Sequence, residues 1–517
     1  MATSSADILG TADPHKEEPT SSASSSDWSD EEGDEYLAKA LASDPYLQDL
    51  KASAKSSPGP SGPPNAAETP AAADGEEAAQ AEGASSTSTT TSTGAAVAAV
   101  RETLLVHHPL CELHSIPDHP ERPGRVRAIM NALTREFPDF DPQLAPEATL
   151  DQVLRFHGRR LVDKIDRLCS LAEEQGRAAE AKAAAEVEAL SSGKTSGGAR
   201  SKRPPSTADR RSFERQHAGI MSIDPDTAVM PTSRAAIWRA AGAACFAVDE
   251  VMSGRAANAF CCVRPPGHHA EPNRAMGFCF FNNAPIGALH AQAEHGAERV
   301  AVVDIDVHHG NGTQAFFRDD PTTFYASTHQ GPDFYPGTGQ DFIKGVSGNV
   351  LNVSMREGEG SRAFRRAYSE KILPALEAFR PGLIFISAGF DAHENDPLAG
   401  ISLDEEDYHW VTQEICAVAE KVCGGRVVSI LEGGYNLQAI SDSAVAHVRA
   451  LREASAAVAA AAAAVTASTL SATATAHATG SNRGDGEGGL VDDGGLAERL
   501  RTADLVGKEA GSKSGDG

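Results

Sequence analysis

Apolar and polar positions divide the chain into a patterned middle and two polar ends. Between residues 102 and 450, short apolar runs rich in β-branched side chains alternate with longer stretches whose apolar positions recur every three or four residues. The first pattern predicts strands and the second predicts amphipathic helices. The predicted strands are 102–108, 258–263, 299–307, 323–327, 349–354, 382–388 and 426–431. The predicted helices are one that follows Pro123, then 150–171, 233–252, 284–295, a short one after 307, 361–379, 404–421, and 441 to about 463.

The order of these elements indicates an α/β fold. The run Val300–Val303 has no polar face, as expected of a central strand that is covered on both sides. Strands that alternate with helices predict a parallel sheet with helices on both faces. We therefore predict one α/β domain over residues 101–455, with a central, mostly parallel sheet flanked by helices. In such a sheet, functional residues follow the carboxyl ends of the strands.

Three segments depart from this pattern. Residues 1–100 and 456–517 are rich in Ser, Thr, Ala, Pro or Gly and hold few side chains able to form a core, so we predict two disordered tails. Residues 172–215 are rich in Ala, Glu, Lys, Ser and Gly. We interpret them as an insertion into the domain that is helical at first and flexible later.

Charge and cysteine content restrict the partners and the compartment. The formal net charge is −26, and residues 1–100 contribute half of it with 17 acidic and 4 basic residues. This surplus disfavours direct binding to nucleic acid and favours cationic partners, although it equally serves solubility alone. No apolar run approaches membrane-spanning length, and the N-terminus resembles neither a secretory signal nor a transit peptide. The eight cysteines form no Cys-x-x-Cys pair, which favours reduced core residues in the nucleus, the cytoplasm or both.

Polar clusters follow four of the predicted strands. Because the carboxyl ends of parallel strands meet at one edge of a sheet, four clusters there are difficult to attribute to surface decoration. The clusters are Arg264–His269, Asp304–Gly312, Gly389–His393 and Glu432–Tyr435.

Asp306, His308 and Asp391 are the predicted metal ligands. In an extended strand Asp304, Asp306 and His308 project to the same side, and Asp391 arrives from another strand end. Two carboxylates and one imidazole, with a position left for water, suit a catalytic Zn²⁺, and Fe²⁺ accepts the same ligands. The alternative is that the acids are solvated loop residues and that Asp391 caps a helix.

His268, His269 and Tyr435 complete the predicted chemistry. Two adjacent histidines in a tight Pro-Pro-Gly turn suit general acid–base work, with Asp304 and Asn311 as candidates to orient their rings. Tyr435 follows two glycines and is predicted to donate to a developing oxyanion, the alternative being a partly buried core tyrosine. Together these residues predict metal-assisted hydrolysis of an amide.

Six motifs resemble those of a zinc-dependent histone deacetylase of the class II type, in the arginase/deacetylase superfamily. The resemblance covers about residues 102–450, and residues 277–339 are especially similar to bacterial deacetylase-like amidohydrolases. It implies the arginase/deacetylase fold and hydrolysis of Nε-acetyl-lysine in histone or non-histone proteins and peptides, with release of acetate. The motifs are Arg264–Ala270, Gly277–Asn283, Asp304–Gly312, Ser387–His393, Asp396–Leu398 and Leu431–Tyr435.

The resemblance also implies a role for each site residue. The three predicted ligands would bind one Zn²⁺ per chain. His269 would be the general base, His268 an electrostatic or acid partner, and Tyr435 would polarise the scissile carbonyl. A structural K⁺ would lie, largely through backbone oxygens, on Asp304, Asp306, His308, Ser327 and Thr328.

Substrate-contacting residues follow from the same resemblance. Gly277, Phe278 and Tyr335 would line the channel that holds the acyl-lysine stem, and Tyr335 replaces the phenylalanine usual in class I members. Asp226 would match the rim aspartate that grips the substrate backbone. Leu398 stands where a polyamine-selective branch carries glutamate, which weighs against acetylpolyamines.

Three other functions compete with protein deacetylation. The first is hydrolysis of small acetylated amines, and the second is a catalytically silent acetyl-lysine-binding scaffold. A manganese ureohydrolase would require a second metal held by further carboxylates. His393, which follows Asp391 where a second acid would be needed, disfavours it and predicts a single metal.

Overall fold

The computed structural model of the chain describes residues 102–191, 218–331 and 333–480, and it confirms the predicted α/β architecture. The predicted N-terminal tail lies outside the described residues. The strands are β1 (Thr103–His107), β2 (Gln143–Leu144), β3 (Met221–Asp224), β4 (Thr227–Val229), β5 (Asn258–Cys262), β6 (Val300–Asp304), β7 (Thr323–Gln330), β8 (Val350–Met355), β9 (Leu383–Ala388) and β10 (Val427–Leu431). All but β3 and β4, which pair as an antiparallel hairpin, belong to one sheet.

The main sheet is parallel throughout, in the order β2-β1-β5-β10-β9-β6-β7-β8. This order puts β5, β10, β9 and β6 side by side at its centre. Every residue of these four strands is buried. The four polar clusters that follow them therefore meet at the middle of one sheet edge.

Both faces of the sheet are covered, as a parallel sheet requires. In β6, Ala301 and Val303 pack into the apolar cluster on one face, and Val300 and Val302 pack into the cluster on the other. Full burial of one such valine stabilises the fold by roughly 1.5–3 kcal/mol. The sheet is thus a rigid support for the loops at its edge.

The helices fill the two faces. They are α1 (Gly124–Glu136), α2 (Leu150–Leu154), α3 (Arg159–Ser191), α4 (Ser233–Met252), α5 (Asn283–His295), α6 (Asn311–Phe317), α7 (Ser361–Ala367), α8 (Leu373–Phe379), α9 (Glu405–Cys423) and α10 (Leu437–Gly480). The alanine-rich α4 and α5 contribute Ala240 and Ala284 to one apolar cluster, and α9 and α10 contribute Ile415 and Val448 to the other.

The prediction of one helix over 150–171 was wrong. A capping box formed by Thr149 and Gln152 starts α2, which ends after five residues. The Gly158 amide donates to the Pro272 carbonyl at 2.8 Å instead of extending α2, and α3 begins afresh. Helix α3 then continues to Ser191, so the first part of the predicted insertion is helical. Residues 192–217 lie outside the described part of the chain.

Two other helices differ from their predicted bounds. The predicted helix 361–379 is broken by a π-helical turn at Tyr368–Ile372, which ends two residues before Pro374, a residue that cannot donate a backbone hydrogen bond. Helix α10 runs to Gly480, past the expected end near 463, so part of the predicted C-terminal tail is helical. Its alanine-rich sequence explains the extension, because alanine has the highest helix propensity.

Backbone contacts divide the chain into two units, Met1–Ala456 and Ala457–Gly517. The first contains the whole sheet, and the second is described only as the end of α10. All eight cysteines are buried and unpaired, in agreement with their interpretation as reduced core residues. Among the described residues, no helix combines the length and the apolar character needed to cross a bilayer.

Candidate active site

Strand β6 ends earlier than predicted, and its end sets up the site. The backbone amide of Asp306 donates to Asp304 Oδ1 at 3.2 Å, and the amide of His308 donates to Asp306 Oδ1 at 2.8 Å. Such aspartate-centred turns take the chain out of the sheet after Asp304, so strand alternation does not govern Asp306 and His308. The turns instead direct their side chains toward β9.

Asp306, His308 and Asp391 come together as predicted. His308 Nδ1 lies 3.1 Å from Asp306 Oδ1 and 3.2 Å from Asp391 Oδ2. The carboxylates are also held from behind, because the Gly433 amide donates to Asp306 at 2.8 Å and the Val307 amide donates to Asp391 at 2.9 Å. The three potential ligand atoms lie within 4.8 Å of one another, a spacing and donor set that fit one divalent cation.

The electrostatics of this cluster favour positive charge. Burial lowers the pKa of His308, but hydrogen bonds to Asp306 and Asp391 and the charges of both carboxylates outweigh it and raise the pKa to about 10. Burial and the charge of Asp306 together raise the pKa of Asp391. A buried pair of acids beside one imidazole therefore stabilises a bound cation.

The two histidines of the 264–269 loop have different partners. His268 Nδ1 lies 3.1 Å from Asp304 Oδ2, whereas His269 Nδ1 lies 2.9 Å from Asn311 Oδ1. The Asn311 amide nitrogen donates to Glu271 at 2.8 Å, so its oxygen faces His269. His269 must then donate through Nδ1, which leaves the Nε2 lone pair as a proton acceptor.

The same partners separate the protonation states of the two rings, whose centroids are 4.0 Å apart. Burial lowers the pKa of His268, but the charges of Asp306 and Asp304 raise it well above its usual value. Burial and the charges of His268 and His308 hold the pKa of His269 well below its usual value. Neighbouring groups with pKa values pushed apart are typical of an acid–base pair.

The sequence prediction assigned no role to two supporting residues. The hydroxyl of Tyr325 donates to Asp304 at 3.0 Å and fixes the carboxylate that faces His268. Glu432 is fully buried, and its Oε2 accepts from the amides of Gly267 at 2.6 Å and His268 at 3.1 Å. Burial raises the pKa of Glu432 to about 7. An acid directly after a buried strand was the available signal for Glu432.

The predicted channel residues lie next to His269 and Tyr435. Gly277 adopts φ +61, and a Cβ there would lie 2.5 Å from His269 and 2.9 Å from the hydroxyl of Tyr335. The Tyr335 ring stands edge-on to His269 at 5.1 Å, and the Phe278 ring stands edge-on to Tyr435 at 6.0 Å. A further wall residue was missed: Phe334 stacks on His308 with a centroid distance of 5.1 Å.

Asp226, the predicted rim residue, lies beside Gly277. It occupies the turn between β3 and β4, and its Oδ1 accepts from the Gly277 amide at 3.1 Å. The side chain also lies close enough to Tyr335 that its charge helps, after burial, to raise the pKa of that phenol. Leu398 is 39% exposed on a neighbouring loop, and its amide donates to Asp396 at 2.9 Å.

Tyr435 is held by its backbone and by one arginine. Its amide donates to Asp396 at 2.7 Å, and the guanidinium of Arg125 lies 5.0 Å from the centre of its ring. Arg125 also donates to the carbonyl of Gly434 at 2.6 Å and to that of Glu432. Burial raises the pKa of the Tyr435 phenol well above its usual value, so the phenol remains a hydrogen-bond donor.

Glu121 joins the loops that carry His268 and Tyr435. It binds Arg125 at 3.0 Å through Oε1, and the guanidinium of Arg264 donates to the same carboxylate with its Nε at 2.6 Å. Arg264 opens the histidine loop and also donates to the Cys111 carbonyl at 2.7 Å. All three charged side chains are fully buried. We call this ion cluster the Glu121 bridge.

Gly433 provides a test of the metal cluster. A Cβ at this position would lie 2.6 Å from Asp306 Oδ2 and would overlap Asp391 Oδ2, so one carboxylate must move. We therefore expect Gly433→Ala to bind a divalent cation at least about tenfold more weakly than wild type, in line with the effect of disturbing groups around metal ligands. The measurement is competition with a fluorescent chelator, with circular dichroism to verify folding. Gly382→Ala is the control, because the nearest atom to a Cβ there would be the Arg299 carbonyl oxygen at 3.5 Å, an ordinary contact.

Comparisons with known proteins agree with this geometry. Residues 119–451 match the histone deacetylase domain. The chain is 37% identical over 377 residues to the type-2 histone deacetylase 2 of Dictyostelium discoideum, covering 68% of this chain and 21% of that protein. It is 42% identical over 249 residues to the histone deacetylase-like amidohydrolase of Pseudomonas aeruginosa, covering 47% and 64% respectively.

Further relatives include a plant enzyme and a solved structure. Histone deacetylase 14, chloroplastic, of Arabidopsis thaliana is 36% identical, over 65% of this chain and 74% of that protein. The crystal structure of the HDA15 HD domain superposes with a TM-score of 0.56 at 32% identity, covering 69% of this chain and 92% of that one. The chain thus spans about a fifth of the Dictyostelium relative and about three quarters of the Arabidopsis one.

Fold and site together define a metal-dependent amidohydrolase. The chain belongs to the histone deacetylase family, and the predicted resemblance is confirmed. Its activity is therefore deacetylation by hydrolysis. Enzymes of this family are zinc-dependent, and the cluster of Asp306, His308 and Asp391 has the donor set that Zn²⁺ requires.

Proposed function

We propose that this enzyme hydrolyses Nε-acetyl-lysine in proteins or peptides, histone or non-histone, and releases acetate. The observation that carries the proposal is the meeting of a cation-binding cluster, two histidines with opposite proton preferences and a buried phenol at one edge of the sheet. Two aromatic side chains beside these groups, Tyr335 next to His269 and Phe278 next to Tyr435, suit the apolar stem of an acyl-lysine.

One Zn²⁺ on Asp306, His308 and Asp391 would supply Lewis acidity and lower the pKa of bound water toward about 7. The chain supports this with the backbone amides of Val307 and Gly433, which keep the two carboxylates turned toward His308. We also propose a structural K⁺ held largely by backbone oxygens near Asp304 and Ser327. These two residues are paired in register on the neighbouring strands β6 and β7.

In this mechanism the two histidines divide the proton transfers. His269 accepts at Nε2 a proton from the water that attacks the acetyl carbonyl, because Asn311 holds the ring's other proton on Nδ1. His268, paired with Asp304, stays cationic and stabilises the negative charge that develops beside it. The proton taken by His269 is then available to the departing lysine amine.

Tyr435 and Asp226 act on the substrate itself. The protonated phenol of Tyr435 donates to the carbonyl oxygen as its charge grows. Asp226 would accept from a substrate backbone amide at the rim, where it already accepts from the Gly277 amide. Acetylated proteins in the nucleus or the cytoplasm are the proposed partners.

Small acetylated amines are the second candidate substrate. Leu398 carries no charge to pair with a polyamine ammonium, and its side chain is exposed two residues after Asp396, which accepts from the Tyr435 amide. A leucine offers an apolar surface to a peptide but no carboxylate to the ammonium groups of a polyamine, so this position favours the peptide. We therefore expect higher kcat/KM on acetyl-lysine peptides than on acetylspermidine.

A substrate profile tests the proposal. Wild-type protein and Asp391→Asn are assayed on acetyl-lysine peptides, longer acyl peptides and acetylated polyamines, with acetate release as the readout. We expect the peptides to be hydrolysed fastest by wild type and not measurably by Asp391→Asn, because loss of one carboxylate weakens the cation cluster. Faster turnover of acetylpolyamine would contradict the proposed substrate, and equal activity of Asp391→Asn would contradict the site.

A further inference from the structure

A second group of metal-ligating side chains lies away from the candidate active site. His290 Nε2 is 2.9 Å from Asp249 Oδ1, and His295 Nε2 is 2.7 Å from the same oxygen. The three potential ligand atoms lie within 4.8 Å of one another. Asp249 is 42% exposed and His295 is 23% exposed, so solvent and ions reach the group.

The topology puts this group at the opposite edge of the sheet. Asp249 is in the last turn of α4 and His295 ends α5, and these helices lead into the first residues of β5 and β6. The candidate active site follows the last residues of the same strands. Nothing in the proposed hydrolysis uses Asp249, His290 or His295.

We propose that Asp249, His290 and His295 form a second binding site for a transition-metal ion such as Zn²⁺. Two imidazole nitrogens and one carboxylate oxygen, with solvent access for a water ligand, are a zinc-type donor set. Tetrahedral coordination with bonds near 2.0–2.1 Å requires ligand atoms about 3.3 Å apart. The observed contacts of 2.7 and 2.9 Å are slightly shorter, so a small outward rotation of the histidines admits the ion.

Arg155 opposes this ion in a specific way. Its Nη1 donates to His290 Nδ1 at 2.6 Å, and its Nη2 contacts Glu294. An arginine only donates, so the His290 proton sits on Nε2 and points at Asp249. An ion bound at Nε2 needs that proton on Nδ1, facing an acceptor. Metal binding therefore displaces Arg155 from His290.

The proposed site links the carboxyl ends of α4 and α5. It adds a second ion to the single metal ion predicted from the sequence, because that prediction considered only ligands at the strand ends. An ion that binds the folded chain alone also raises its thermal midpoint. The role we assign is therefore structural.

Metal counting on the full-length protein tests the proposal. The protein is loaded with Zn²⁺, gel-filtered and analysed by mass spectrometry for metal per chain, and Co²⁺ loading adds visible absorption as a second readout. We expect two ions in wild type and one each in Asp249→Asn, His295→Gln and Asp391→Asn. The double variant Asp249→Asn/Asp391→Asn should hold none.

Arg155→Gln separates a metal site from a simple ion-pair cluster. The glutamine oxygen is an acceptor for Nδ1–H, so this variant is expected to bind the second ion about tenfold more tightly. Misfolding could explain the loss of an ion in Asp249→Asn or His295→Gln, but it could not explain a gain in affinity in Arg155→Gln. An equal ion count in wild type and Asp249→Asn, an ion that persists in the double variant, or unchanged affinity in Arg155→Gln would overturn the proposal.

Discussion

Replacing Tyr435 by phenylalanine is expected to lower kcat on an acetyl-lysine peptide by about 10²–10³-fold, the usual cost of removing one oxyanion donor. The buried phenol stays protonated, and its ring is fixed between Phe278 and Arg125. The substitution removes only the hydroxyl, so neither contact is lost. Initial rates under saturating substrate measure the effect, and the metal content should equal that of wild type.

Tyr335→Phe is the matched control for this variant. It removes the same hydroxyl from a second tyrosine of the site, whose ring lies edge-on to His269 and His308 and whose phenol lies close to Asp226. We expect it to change kcat less than tenfold. If both variants lost activity equally, the hydroxyl of Tyr435 would have no special part in the reaction.

Breaking the Glu121 bridge is expected to cost about 3–5 kcal/mol in the free energy of unfolding at pH 7. Glu121→Gln leaves Arg125 and Arg264 buried without their shared carboxylate. Because these arginines hold the loops of Tyr435 and His268, kcat should also fall by at least about tenfold, as small displacements in an active site usually cause. Urea unfolding and initial rates measure the two effects.

The effect of Glu121 on stability should depend on pH. Burial raises the pKa of Glu121, but the charge and hydrogen bonds of Arg264 and the charge of Arg125 lower it from 4.5 to about 2. The carboxylate therefore stabilises the fold fully above about pH 4.5, and this contribution is lost as the pH falls toward 2. The stability gap between wild type and Glu121→Gln should narrow by roughly 1 kcal/mol between pH 6 and pH 4.

Glu112→Gln provides the comparison. Glu112 also pairs with an arginine of α1, Arg127, at 2.6 Å, but that arginine is 63% exposed. A solvent-exposed pair contributes about 0–1 kcal/mol. A loss for Glu121→Gln no larger than that for Glu112→Gln, or a gap between wild type and Glu121→Gln independent of pH, would show that the bridge is not a major source of stability.

The sequence was informative where a residue's role depends on its position after a strand. The fully apolar run before Asp304 identified a central strand, and the parallel architecture then predicted that Asp391 would reach His308. The relative positions of the four polar clusters followed from the same rule. This part of the site is a consequence of topology, and topology is readable from element order.

The missed residues act through contacts that no local pattern encodes. Glu121 lies in a proline-rich turn 143 residues before Arg264, and only folding shows that one carboxylate serves two arginines. Tyr325 lies in the middle of a buried strand, where a tyrosine is usual and its bond to Asp304 is not apparent. The break between α2 and α3 likewise depends on a distant partner, the Pro272 carbonyl.

Burial of every cysteine has a consequence for how this enzyme responds to oxidants. Burial raises the pKa of the Cys111 and Cys423 thiols to about 11, and it raises that of Cys279, next to the channel, well above the usual value. Oxidants and alkylating agents react with exposed thiolates, and the native protein presents none. Modification of a thiol therefore requires local unfolding first, and the rate of alkylation reports how often the core opens.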